Sequence, residues 1–198
     1  MLRKARILAV FAALFVAACV PETETFLSDP GEQPIDARVL GTWYTLERDG
    51  REAVILTVRR TRDQRISVIW TELKPRNVRS EHDRPVQFVR YTGFTTQIDK
   101  ANFVNLRLVD RRSWKSGAPT RFIMRYWLTK EGLRIAFMKD DVFKKAVKTG
   151  KLAGRLTEDD VLITAKREAL IAFIREVGVD KAFAKPTKPL HRLAPTDG

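Results

Sequence analysis

Few side chains in this 198-residue sequence can do chemistry, and their spacing limits what that chemistry could be. There is one cysteine, Cys19, and there are two histidines, His82 and His191. A nucleophilic triad or a zinc site needs a histidine held in a packed setting beside a nucleophile or further ligands. His82 lies instead in the polar run Arg79-Ser80-Glu81-His82-Asp83-Arg84, and His191 in a Pro-rich C-terminal stretch. No His-x-x-x-His or Glu-x-x-His spacing occurs. Carboxylates gather at Asp140-Asp141 and Glu158-Asp159-Asp160. Such groups can run acid–base chemistry or hold a hard cation, but acidic residues are also preferred at helix starts. Here the first pair reads as a helix start and the second group as a turn before a strand. With no Gly-rich phosphate loop and no Gly-x-Ser-x-Gly elbow, the sequence implies no catalytic residue, no metal and no cofactor.

Positive charge is the larger compositional signal: 37 Lys+Arg stand against 24 Asp+Glu, a formal net charge of +13. Arg59, Arg60, Arg62 and Arg65 crowd one stretch, and Arg111, Arg112 and Lys115 another. Lys144, Lys145, Lys148 and Lys151 form a third group. Lys144, Lys148 and Lys151 recur at three- and four-residue spacing, which puts them on one face of a helix, and this group is a candidate docking face. A basic surface of this kind takes an anionic partner or is simply a solvated exterior. In a cytosolic chain nucleic acid would be the first partner to consider.

The N-terminus points elsewhere. Arg3, Lys4 and Arg6 precede an unbroken apolar run over 7–18, which ends in Val16-Ala17-Ala18-Cys19. A spanning helix needs roughly 20 apolar residues, so this run is too short to cross a bilayer. The four closing residues resemble the lipobox of bacterial lipoproteins, which implies that 1–18 is a signal peptide and that Cys19 is acylated. An acylated thiol is neither a nucleophile nor a metal ligand, and no second cysteine offers a disulfide in an oxidising compartment. The partner so implied is a membrane, reached through Cys19, rather than nucleic acid. In the lipoprotein sorting rule Asp after the Cys favours inner-membrane retention; Val20 stands here, which implies a periplasm-facing outer-membrane location in a Gram-negative host. Residues 19–36, with Pro21, Pro30, Pro34, Gly31 and only negative charges, read as a lipidated Cys and a solvated acidic tether.

The elements that must position any site are mostly strands. Alternating or short apolar runs over 39–46, 53–59, 65–73, 86–96, 101–109, 121–129 and 133–139 are separated by turn signals such as Asp49-Gly50 and Glu131-Gly132. A short helix is expected over 141–149 with Asp140 as its cap, a strand over 161–163, and a helix over 165–177 capped by Thr164. Residues 37–183 then make one domain, and 184–198, with Pro186, Pro189 and Pro195, a loose tail. The fold class is mainly β: a single antiparallel barrel or strongly curled sheet of seven or eight strands, followed by a helix. Gly41-Thr42-Trp43 at the first strand looks like the Gly-x-Trp signature of lipocalins and related calycins. That resemblance implies that Trp43 packs across the closed end of the barrel beneath an Arg, for which Arg155 and Arg167 are the candidates. The family's Thr-Asp-Tyr motif is not found. A narrow eight-stranded barrel is either filled by side chains or holds one small ligand. The resemblance makes Trp43, Trp70, Phe88 and Trp127 candidate lining residues for an apolar or amphiphilic ligand, and the basic surface offers the alternative, docking of an anionic envelope polymer, lipid headgroup or acidic protein.

Overall fold

The computed structural model describes residues 20–47, 50, 52–73, 86–110, 120–157 and 160–193. Cys19, His82, Glu158 and Asp159 lie outside the described residues, as do the signal segment and the end of the tail. Among the described residues no helix is long and apolar enough to cross a membrane.

The chain is built around one eight-stranded antiparallel sheet. Its strands are β2 (Gly41–Glu47), β3 (Glu52–Arg60), β4 (Ile66–Leu73), β5 (Val86–Ile98), β6 (Ala101–Asp110), β7 (Arg121–Thr129) and β8 (Gly132–Phe137), which neighbour one another in chain order. The eighth, β11 (His191–Arg192), pairs antiparallel with β2. The sheet closes because Leu133 at the start of β8 exchanges both backbone bonds with Leu190, at 2.9 and 2.7 Å, one residue before β11. Gly132 makes that closure possible: its φ is +138°, and a Cβ there would stand 2.2 Å from the Leu190 carbonyl oxygen. The result is the calycin-like barrel that the strand pattern predicts.

Period-2 alternation places one set of side chains inside. Val54, Leu56 and Val58 of β3, Ile66, Val68 and Trp70 of β4, and Phe122, Met124 and Tyr126 of β7 are buried in one cluster. Burying such a side chain contributes about 1.5–3 kcal/mol each, so the interior carries much of the fold's stability. The opposite face of β6–β8 is apolar as well: Phe103, Ile123 and Ala136 point outward and are fully covered. What covers them is a second layer of α1 (Asp140–Lys148), α2 (Arg167–Val177) and α3 (Val179–Ala182). Phe143, Leu170, Phe173 and Ile174 line its inner side. A three-stranded sheet, β1 (Glu22–Thr23), β10 (Val161–Ile163) and β9 (Gly154–Leu156), completes this layer, with β1 parallel to β10.

Two boundary expectations are corrected here. Residues 20–36 are not a free tether. Glu22–Thr23 is a strand, Thr23, Leu27, Ser28 and Ile35 are buried, and the Leu27 amide donates to Asn105 Oδ1 at 3.0 Å. Asn105 is fully buried and also donates to Thr96 Oγ1 at 2.8 Å, beside the Ser28 hydroxyl. The segment lies down because these polar groups on the outer wall would otherwise be buried unpaired. Over residues 184–193 the expected loose tail is packed on the barrel instead, because Leu190 and β11 supply its last strand. Helix caps differ too: α1 begins after Lys139 with Asp140 inside its first turn, and α2 begins after Lys166 rather than Thr164.

Candidate functional site

The barrel has a plugged end. A single 3-10 turn, Ala37–Val39, enters there, nucleated by Asp36, whose carboxylate accepts from the Arg38 amide at 3.0 Å. Val39 is buried, and its carbonyl accepts the Trp43 indole N–H at 2.9 Å. Outside Trp43 lies Arg192, with its guanidinium 5.2 Å from the ring centre and one nitrogen donating to the Leu40 carbonyl. Arg192, from the last strand, therefore occupies the place for which Arg155 and Arg167 were candidates. Arg155 stands exposed on β9, and Arg167 pairs with Asp29 and Glu32. From inside the barrel the Tyr126 hydroxyl donates to Asp36 at 3.0 Å. Burial, the Asp36 charge and that hydrogen bond together push the Tyr126 phenol well above its ordinary pKa. Burial alone would raise Asp36; the hydrogen bonds from Arg38 and Tyr126 outweigh it and hold the carboxyl below the usual range.

Above this plug the described side chains pack into one buried cluster. A cavity of about 30 Å³ remains, walled by Val58, Ile66, Val104, Leu106, Met124 and Tyr126 among others. That is room for one or two waters, and an apolar cavity of this kind stays dry. None of the four candidate lining aromatics touches it. Trp43 and Trp70 do point inward, in one row across β2–β5 with Leu56 and Val89. Both are core, at 4% exposure each. Phe88 points outward from β5 and is 38% exposed. Trp127 also points outward, beneath the Arg125 guanidinium at 4.3 Å and against the helical layer. The structure thus separates the four across two faces of the wall rather than gathering them around a ligand.

Comparison with protein families, with curated proteins and with solved structures gives no match.

Lys145 and Lys148 are exposed on α1 and no carboxylate among the described residues pairs with either. Lys144, by contrast, bridges to Asp140 at 2.8 Å, and Lys151 bridges to Glu176 at 3.2 Å. The Asp140-Asp141 pair thus supports the start of α1. Asp160 closes a turn with Thr157, whose hydroxyl accepts the Asp160 amide at 2.9 Å. His191 lies exposed on β11 beside the Tyr44 ring. Among the described residues no three His, Cys, Asp or Glu side chains converge as metal ligands.

Proposed function

We propose that this protein is a lipid-anchored envelope protein that works by binding rather than catalysis, and that it docks an anionic envelope component through its outer surface. The observation that carries the docking reading is the contrast between inside and outside. The cavity that the described residues enclose inside the barrel has room for one or two waters, far from the several hundred Å³ of an ordinary ligand pocket. The outside is strongly basic: without Arg3, Lys4 and Arg6 of the signal segment, 34 Lys+Arg still stand against 24 Asp+Glu, and Lys145 and Lys148 on α1 have no carboxylate partner among the described residues.

The anchor rests on Val16-Ala17-Ala18-Cys19 and the basic-then-apolar stretch before it. Several acyl chains at Cys19 would make attachment lasting, since one alone binds only marginally. Val20 after the cysteine supports the periplasmic face of an outer membrane as its place. Gly41-x-Trp43 under Arg192 supports kinship with calycins, and with it a second reading: a lipocalin-like carrier of an apolar or amphiphilic ligand. The apolar walls of the small cavity favour that reading in chemistry, while its size requires the barrel to widen.

Native mass spectrometry of the protein released from its own membrane by mild detergent tests these ideas together. The expected species begins at Cys19 and carries acyl mass but no other apolar passenger. A reproducible extra mass extractable into organic solvent would replace docking by the carrier reading. An unacylated chain would remove the anchor.

A further inference from the structure

On the outer wall of the barrel lies a concavity of about 230 Å³. One water needs only about 10–15 Å³ by the same measure, so this is a space of ligand size. Phe26, Pro30 and Phe94 form its apolar side, and Arg65, Arg107 and Arg121 its charged side.

Strand register sets Arg107 beside Arg121 in the cationic wall, and Arg65 joins them from the segment just before β4. Ser67 pairs with Thr92, Thr92 with Arg107, and Arg107 with Arg121, one continuous outward row over β4–β7. Two arginines directly opposed on neighbouring strands repel each other, and among the described residues no carboxylate ion pair relieves Arg107 or Arg121. Arg121 is fixed in place: one nitrogen donates to the Glu24 carbonyl at 3.1 Å, and the guanidinium lies 6.0 Å from the Phe26 ring centre. Its remaining donors are left for another acceptor. Arg65 has only a 3.4 Å contact with Asp63, a carboxylate that also accepts from the Thr61 hydroxyl. Three of the acidic groups nearby are engaged elsewhere, while Glu24 lends its backbone carbonyl to Arg121 and keeps its side chain exposed. Asp29 and Glu32, on either side of Pro30, both turn to Arg167, and Glu22 accepts the Thr120 amide at 3.1 Å. Phe26 meets Phe94 edge-on at 5.5 Å, which gives the pocket a rigid apolar flank beside its charge.

We propose that the Arg65, Arg107 and Arg121 pocket binds the phosphate of an ester whose other part packs on Phe26 and Phe94, and that a membrane phospholipid headgroup supplies it. Forked guanidinium donors match phosphate oxygens in pairs, and an apolar flank suits the glycerol and first methylenes of a lipid. Position favours the lipid source. Phe26 is seven residues after Cys19, a reach of at most about 25 Å. Because Glu22–Thr23 is held in a sheet, the free chain between anchor and domain is shorter still. The choice of lipid over a soluble phosphate ester rests on the anchored reading above; the phosphate pocket itself rests on the convergence of Arg65, Arg107 and Arg121.

The test is calorimetric titration of the whole chain in non-ionic detergent with inorganic phosphate, phenyl phosphate and dihexanoyl phosphatidic acid. Saturable binding is expected, tightest for the lipid and at least tenfold weaker in Arg107→Glu. Arg107→Gln removes the charge more gently and should give the same loss with an unchanged melting temperature. Phenyl phosphate binding as tightly as the lipid would overturn the headgroup assignment and leave the phosphate pocket standing. No saturable binding by any of the three, or equal binding in both variants, would overturn the pocket. Palmitate labelling of Cys19 is read separately, so failure of the anchor and failure of the pocket are distinguishable.

Discussion

The guanidinium of Arg192 lies 5.2 Å from the centre of the Trp43 ring and donates to the Leu40 carbonyl. One residue of the last strand thus seals the first strand, the 3-10 turn and the plugged end together. Gly41 lets it do so: its φ is +127°, and a Cβ there would meet the Arg192 guanidinium at 3.2 Å. Arg192→Ala is expected to destabilise the fold by about 1–2 kcal/mol through the lost cation–π contact and charge-assisted bond. Gly41→Ala should cost about 1–3 kcal/mol, because it adds backbone strain and displaces the same arginine. Urea denaturation of each variant measures both, and wild-type midpoints would show that the seal contributes nothing.

Asn105 holds the N-terminal segment against the barrel. Its side chain accepts from Leu27 and donates to Thr96 while fully buried. Asn105→Leu leaves the Leu27 amide and the Thr96–Ser28 pair without their partner, a loss of about 1–3 kcal/mol. The segment should then open before the barrel does. Limited proteolysis followed by peptide mapping should show new cleavage within residues 24–33, ahead of any cut inside β2–β8. Unchanged resistance in that segment would mean that Asn105 is not its clasp.

Arg175 grips Asp99 with two hydrogen bonds, at 3.0 and 2.9 Å, and so ties α2 to the β5–β6 turn. The hydrogen bonds from Arg175 hold the Asp99 carboxyl below its ordinary value. As pH falls, the unfolded chain therefore takes up its proton first. The pair's contribution is complete above about pH 4 and is lost as pH drops through the lower folded pKa. Asp36, held down by Arg38 and Tyr126, acts in the same direction. Asp99→Asn should flatten the acid limb of a stability–pH curve below about pH 4 while lowering the plateau above it. An acid limb as steep as that of the wild type would assign acid sensitivity to other groups.

The barrel was legible because most of its strands bury one face, and a period of two shows through: Ile66, Val68 and Trp70 alternate against polar Ser67 and Thr71, and 121–129 and 161–163 are strands at the predicted bounds. Partnership at long range was not legible. A two-residue strand such as Glu22–Thr23 has no period to read, and its partner β10 lies near the other end of the chain. Proline and acidic residues made 19–36 look like a linker, although Leu27 and Ile35 are buried there. Aromatic identity likewise does not report direction. Trp70 and Trp127 each stand in a strand beside an apolar residue, Ile69 and Leu128, yet one faces the barrel and the other the helices, because β7 is covered on both sides. The Arg107–Arg121 pair comes from the register of β6 with β7, and Arg65 joins it from the segment before β4, a convergence that sequence separation hides.

The filled interior makes a last prediction that separates a core from a pocket. Met124 is buried at 2% exposure and stands in the wall of the small cavity with Val58, Ile66 and Leu106. Met124→Ala should cost about 2–5 kcal/mol, the more if the wall cannot collapse onto the space. Because that wall is apolar, the enlarged void should stay dry and accept benzene or xenon. The wild-type barrel should take up neither, and binding should raise the melting temperature of the variant alone. If the wild type instead bound long-chain fatty acids saturably, with quenching of Trp70 fluorescence, its core would open in solution and the barrel would be a carrier.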